Sequence, residues 1–368
     1  MGFNPQLKPA SDCAQLPLCV SCRHPYYHLL MIELRSDTFT LPGPGMLAAM
    51  MAARPGDDVF GEDESTNELQ EYCAALFGYE SALFCTSGTM ANQIAISCHT
   101  RPGDEIICDA LSHIHLYEGG GIAANSGVSV HLLRGDLGRI SAAQAEAAIK
   151  PDNPHYPKTR MISLENTVNK GGGSCYRMDE IHRIHLLCRE RGLILHLDGA
   201  RLFNAMLATG TRPEEYGSRF DSISVCLSKG LGAPMGSVLL GSRDFIRQAI
   251  RVRKRWGGGW RQSAYMAAAG LYALKNQVHR LADDHRRALK LAAMLERRPE
   301  VAGLLPVETN IVIFHLKPSA GKSTDWVSRA AEKGILCAPF GEDAVRMVTH
   351  LGFTEEDLDS FSKKIMEI

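Results

Sequence analysis

From residue 66 to about residue 270, short apolar runs alternate with longer stretches of helical period. The runs at 82–85, 105–108, 128–133, 161–165, 193–197, 223–227 and 237–240 are short and nearly unbroken in their apolar character, so they read as strands buried on both faces. Between two of them, 178–191 places Ile181, Ile184 and Cys188 on one helix face, and Gly192 closes its C-terminus. This alternation predicts an α/β fold, a mostly parallel seven-stranded sheet flanked by helices. In that architecture ligands gather at the C-terminal ends of the strands.

The pattern changes on either side. After about residue 275 a polar helix leads to strand-like runs at 310–316, 335–338 and 345–349 and to a capped helix at 354–368, with Leu358, Phe361 and Ile365 on one face. The expected organisation is therefore a large domain at 66–275 and a smaller α/β domain at 276–368. Residues 31–65 read as an arm that contributes to the site, with Ser36 in a polar cluster, a short helix at 46–53 and the acidic loop GDDVFGEDEST. Residues 1–30 read as a loose extension.

Charge and cysteine usage narrow the function. Lys plus Arg number 40 against 41 Asp plus Glu, so no bulk field draws the chain to nucleic acid or an anionic membrane. No apolar run approaches the roughly 18–20 residues of a membrane helix. Eleven cysteines, several of them single and inside apolar strands (Cys85, Cys108, Cys226, Cys337), point to a reducing, cytoplasmic setting rather than to disulfides. Cys13, Cys19, Cys22, His24 and His28 include no second CxxC to complete a ligand set, so no metal site is expected there. Arg23 is the only arginine in that stretch and Asp12 is present, which makes a poor mitochondrial presequence but leaves that compartment open.

Two strand ends carry the chemistry. The run 223–227 delivers Ser228 and Lys229, and glycines 230, 232 and 236 forbid a continuing strand or helix. LHLDGAR ends an earlier strand in Asp198, with Arg201 just beyond. An amine and a carboxylate so placed suit pyridoxal 5'-phosphate: the lysine forms a Schiff base and the carboxylate keeps the ring nitrogen protonated. Ser87, Gly88 and Thr89 lie between a strand and a helix, where free backbone N–H groups cradle a phosphate, although an ordinary turn has the same composition. His113, His115 and Glu118 follow another strand, and an imidazole there could stack on a ring or move protons; His155 in PDNPHYPK is a weaker candidate. Arg346 sits in a predicted strand of the small domain between Val345 and Met347, which point the other way. Its partner is either a substrate carboxylate or a structural acid. Lys254 and Arg261 flank a glycine loop with Trp256 and Trp260, a cluster too short in a neutral chain for nucleic acid but able to reach a phosphate.

In order, the segments LRSDTFT, GDDVFGED, TSGTMANQ, SHIHLYEGG, SLENTVNKGGG, LHLDGARLFNA, CLSKGLGAPMGS, GGGWRQS and VRMVTHLGF resemble the low-specificity L-threonine aldolases, from about Met31 to the C-terminus. That family belongs to fold type I of the pyridoxal phosphate enzymes. The resemblance implies cleavage of L-threonine, L-allo-threonine and other β-hydroxy-α-amino acids to glycine and an aldehyde. It implies Lys229 as the Schiff-base lysine, Asp198 at the ring nitrogen, Gly88 and Thr89 at the phosphate, and His113 stacked on the ring. His155 matches a residue near the substrate β-hydroxyl, and Ser36, Arg201 and Arg346 match the carboxylate holders. Lys254 and Arg261 match residues that a neighbouring subunit lends to the phosphate, so a homotetramer built as a dimer of dimers is implied too. The proton acceptor stays open among His113, His155 and a water. One departure stands out: Phe60 replaces the usual tyrosine of DDVYG, which removes a donor from the expected pocket wall. β-Elimination, racemisation or transamination on the same scaffold, or a non-catalytic relative, are the competing readings.

Overall fold

The computed structural model of the protein describes residues 31–368, so the cysteine and histidine cluster of the extension lies outside the described residues. A two-residue strand, β1 (Ile32–Glu33), opens the arm. The large domain then contributes β2 (Ser81–Cys85), β3 (Asp104–Asp109), β4 (Ser129–Leu133), β5 (Lys158–Glu165), β6 (Ile194–Gly199), β7 (Ser222–Cys226) and β8 (Ser237–Gly241), one for each predicted run. They form a single sheet in the order β2-β8-β7-β6-β5-β3-β4. The pairs from β7 to β4 are parallel, whereas β8 lies antiparallel to both β2 and β7.

The apolar runs are unbroken because both faces are covered. Ala82, Phe84, Val238 and Leu240 enter the larger core, while their neighbours Leu83, Cys85 and Leu239 enter a second core on the other face. The helix Met178–Arg191 buries Ile181, Ile184, Leu187 and Cys188, and ends where Gly192 takes φ 63°, a left-handed cap that favours glycine. Each such Leu or Ile contributes about 1.5–3 kcal/mol on burial. The connections leaving β3 and β5 run in opposite directions, to β4 and to β6, which opens a crevice at their C-terminal ends.

The small domain adds β9 (Val301–Leu304), β10 (Ile311–Leu316), β11 (Ile335–Leu336), β12 (Ala338–Pro339) and β13 (Ala344–Val348). Four of them form an antiparallel sheet, β12-β13-β10-β9, while β11 pairs in parallel with β1. The expected strand at 335–338 is therefore two short ones serving different sheets, and β9 was not anticipated because its VAGL offers little β-forming side chain. The arm begins inside this domain: Ile32 and Leu34 are buried with Ile335, Val345 and Phe361. Its first residues are thus pinned to the small domain, which carries Ser36 and Asp37 to the site. All eight cysteines among the described residues are free thiols. No helix among the described residues is long and apolar enough to cross a membrane.

Candidate active site

The C-terminal ends of four strands converge. Asp109 ends β3 and the chain turns to His113; Glu165 ends β5; Asp198 lies near the end of β6; Lys229 follows β7 by three residues. Glu165 and Asp198 are register partners across two parallel strands, so both carboxylates reach the same edge.

The floor of the site is made of buried acids. Asp198 is 3 % exposed, and Glu118 and Glu165 are buried with it. Asn92, on the helix Gly88–His99, donates its amide to Glu118 Oε1 and to Asp198 Oδ2, each at 2.9 Å. Gln93 donates to Glu118 Oε2 at 2.6 Å, and His113 Nδ1 lies 3.1 Å from Glu118 Oε1. Burial alone would lower the His113 pKa, but the Glu118 hydrogen bond and the charges of Asp198 and Glu118 outweigh it and hold the imidazole above its ordinary value. Glu165 accepts the backbone N–H groups of His113 and Asn169 at 2.8 and 2.9 Å. Burial and the Asp198 charge nonetheless push its carboxyl up to about 7.

Cations make the opposite wall. Arg201 donates Nε and Nη2 to the two oxygens of Asp37 at 2.8 and 2.7 Å, a fully buried fork. Burial would raise Asp37, yet the Arg201 charge and hydrogen bond hold it down to about 2. Arg201 was expected to hold a ligand; its Nε and Nη2 are engaged by Asp37, and its side chain also lines the cavity described below. Arg346 has no acid partner among the described residues. It donates to Asn169 Oδ1 at 2.8 Å and to the Arg35 carbonyl at 3.1 Å, and its Nε is buried without a partner among the described residues. Burial, with Arg201 nearby, lowers its pKa to about 10.

Between floor and wall lies a cavity of about 410 Å³ lined by Ser36, His113, Tyr117, Glu165, Lys229 and Arg346, among others. The Lys229 side chain makes no hydrogen bond or salt bridge among the described residues, and it shares this cavity with His113. The ligand atoms of His113, Glu118 and Asp198 lie within 4.8 Å of one another, so His113 ties Asp198 and Lys229 to one site. At the start of the helix that carries Asn92, Ser87 caps Gly88–His99 by accepting the Met90 N–H at 3.1 Å, which leaves the N–H groups of Gly88 and Thr89 without backbone acceptors.

Other candidates fall elsewhere. His155 sits in an exposed loop that enters β5 at its N-terminal end, a strand length of about 20–25 Å from Glu165. Within one chain it is therefore not at the site. His115 does not line the cavity. Lys254 and Arg261 are exposed, and Arg261 pairs with Asp57 at 3.0 Å. Neighbouring Arg253 is structural, buried against the Phe84 carbonyl and Asp58. Phe60 is 72 % exposed and lines no part of the cavity, so in one chain it is not a pocket wall. Asp37, Asn92, Glu165 and Asn169 stand beside these side chains and were not singled out for the site, and Glu118 was named beside His113 but given no role. Glu165 carried the same signal as Asp198, a carboxylate ending an apolar strand.

The profile of the beta-eliminating lyase family matches residues 33–319. This chain belongs to that family. Within it the chain is 42 % identical over 329 residues to the low-specificity L-threonine aldolase of Escherichia coli, covering 89 % of this chain and 96 % of that one. The low-specificity L-threonine aldolase of Saccharomyces cerevisiae is 41 % identical over 298 residues, covering 80 % and 76 %. Among solved structures, the threonine aldolase of Leishmania major superposes with a TM-score of 0.77 at 22 % identity, over 90 % of this chain and 98 % of that one. That likeness speaks to the fold, which is the one expected for this lyase family.

Proposed function

We propose that the protein is a pyridoxal 5'-phosphate-dependent aldehyde-lyase that cleaves L-threonine, L-allo-threonine and related β-hydroxy-α-amino acids to glycine and an aldehyde. The observation that carries this is one cavity lined by a lysine whose side chain is unpaired among the described residues, an arginine without an acid among them, and Glu165, with His113 joining it to the buried carboxylates Glu118 and Asp198. The residues fit the cofactor: a buried acidic end suits a protonated ring nitrogen, free helix N–H groups suit a phosphate, and Ser237 Oγ, buried without a partner, would lie 3.5 Å from a Cβ at Gly88. His113, Glu118 and Asp198 have a spacing that would also admit a metal ion, but the unpaired Lys229 and family membership favour the organic cofactor.

In this reading Lys229 binds the cofactor covalently, Asp198 holds its ring nitrogen, His113 covers its ring, and Gly88 and Thr89 hold its phosphate. When bound, pyridoxal 5'-phosphate supplies an electron sink for the bond that breaks at the substrate Cα. Arg346, with Ser36, grips the substrate carboxylate, and that grip sets which bond at Cα is aligned to break. His113 Nδ1 is engaged by Glu118, and Nε2 has no partner among the described residues, so Nε2 takes the β-hydroxyl proton. His155 acts only if its loop reaches a neighbouring subunit's site.

The homotetramer belongs to the same proposal. Leu41 and Met51 of the arm are 78 % and 82 % exposed, with Leu47 and Phe60 beside them in the chain, an apolar run that a second subunit would cover. Lys254 and Arg261 then approach a neighbour's phosphate. The eight free, mostly buried thiols among the described residues suit a cytoplasmic setting. The test is product analysis with L-threonine and L-allo-threonine: equal amounts of acetaldehyde and glycine are expected, whereas 2-oxobutanoate and ammonia would make the protein a β-eliminating enzyme instead.

A further inference from the structure

A second cavity, of about 390 Å³, lies at the opposite end of the sheet, lined by His99, Thr100, Arg101, Asp104, Lys158 and Arg160. Asp104 and Lys158 start β3 and β5, and His99 is the last residue of the helix whose first turn holds Gly88. Its charges are lopsided. Three cations face one carboxylate, and that carboxylate already accepts the Arg101 backbone N–H at 2.8 Å. Arg101, Lys158 and Arg160 make no salt bridge among the described residues. The size suits a small molecule rather than a single ion.

A buried hydrogen-bonded chain leads from this cavity to the catalytic one. His99 Nε2 is 3.0 Å from Ser222 Oγ, which is 2.8 Å from His196 Nδ1. His196 Nε2 is 3.3 Å from Asn92 Oδ1, and Asn92 Nδ2 is 2.9 Å from Asp198 Oδ2. The far end sets the proton positions. Asn92 Nδ2 donates to two carboxylates, so Asn92 Oδ1 is an acceptor. His196 therefore carries its proton on Nε2, its Nδ1 accepts from the Ser222 hydroxyl, and that oxygen accepts from His99 Nε2–H. Every donor points toward Asp198. Nδ1 of His99 is left as the ring atom without a partner among the described residues.

We propose that this second cavity binds a small phosphate-bearing anion through Arg101, Lys158 and Arg160, and that the chain from His99 through Ser222, His196 and Asn92 transmits its presence to Asp198. Burial holds His99 down to about 4, with Asp221 opposing the shift and Arg160 adding to it. An anion held by Arg160 weakens that repulsion while burial keeps the ring neutral. The change of field then acts at the head of a line of donors that ends on Asp198. The binding half stands independently; the coupling half rests on the proposed cofactor site.

The test titrates the holoenzyme with inorganic phosphate, by calorimetry and by cofactor absorbance, in a phosphate-free, low-salt buffer. With the cofactor in place its own phosphate site is filled, and the part of the binding that the Arg160/Lys158 variant loses reports the second cavity rather than Arg346. Arg160→Gln combined with Lys158→Gln is expected to weaken binding ~10-fold or more. Ser222→Ala is expected to bind phosphate within about threefold of wild type yet lose the absorbance change. His99→Gln makes the same cut at the cavity end should Ser222→Ala not fold. No saturable binding, or equal binding by the Arg160/Lys158 variant (an adventitious ion only), overturns the site. An unchanged wild-type spectrum, or the same change in both cut variants, overturns the coupling. A protein without bound cofactor would sink the proposed function, while calorimetry would still decide the site.

Discussion

The two sides of the catalytic cavity are built on opposite plans. The floor comes from one domain and one sheet edge: Glu165 and Asp198 from paired strands, with Glu118 and Asn92 hydrogen-bonded beneath. The opposite wall is assembled from separated pieces, Ser36 and Asp37 from the arm, Arg201 from the large domain and Arg346 from the small one. The floor carries surplus negative charge; the wall pairs one arginine internally and leaves the other without an acid. A rigid floor suits a resident cofactor, and a composite wall suits a substrate that comes and goes.

Perturbing the wall's internal pair gives the largest effect. Asp37→Ala leaves Arg201 buried without its counter-charge, and urea unfolding is expected to show a loss of about 3–5 kcal/mol. A loss below about 1 kcal/mol would mean that the wall does not depend on this pair. Asp198→Ala strikes the floor instead: kcat is expected to fall about 10²–10³-fold with little change in unfolding midpoint. If KM rather than kcat carried the loss, floor and wall would not divide the work as described.

The floor also predicts a pH dependence. Glu165 holds its proton more tightly folded than unfolded, so its contribution is fully present below its ordinary carboxyl pKa and is lost as pH rises through about 7. Stability is expected to decline across that interval by up to about 3 kcal/mol from this group, and Glu165→Gln, though destabilised by a lost backbone hydrogen bond, should show a flatter profile. An unchanged slope in the variant would place the titration elsewhere. Arg346→Leu tests the wall's open position: KM for threonine should rise about 10–100-fold with a smaller change in kcat. A pure kcat defect would argue against carboxylate binding there.

The floor was also the more legible side. Strands buried on both faces announce themselves as unbroken apolar runs, and a lysine or carboxylate just where such a run stops is conspicuous, which is how Lys229 and Asp198 could be read. Glu165 has the same signature and was passed over. The Asp37–Arg201 fork spans 164 residues, and no local pattern announces a pair at that distance. Asn92 looked like an ordinary polar residue on a helix, yet it is buried and organises two carboxylates and a histidine. The role given to His155 rested on resemblance alone, and one chain leaves it at the other end of β5. The arm's attachment was hidden for a similar reason, since two residues of β1 are too few to show a period.

Borohydride reduction of the purified holoenzyme, followed by mapping of the modified peptide, tests most directly that one cavity brings Lys229 and Asp198 to a single cofactor. The expected result is one reduced adduct per chain on Lys229, with a cofactor absorbance that shifts in Asp198→Asn. An adduct on another lysine, or full threonine cleavage by Lys229→Ala, would contradict it.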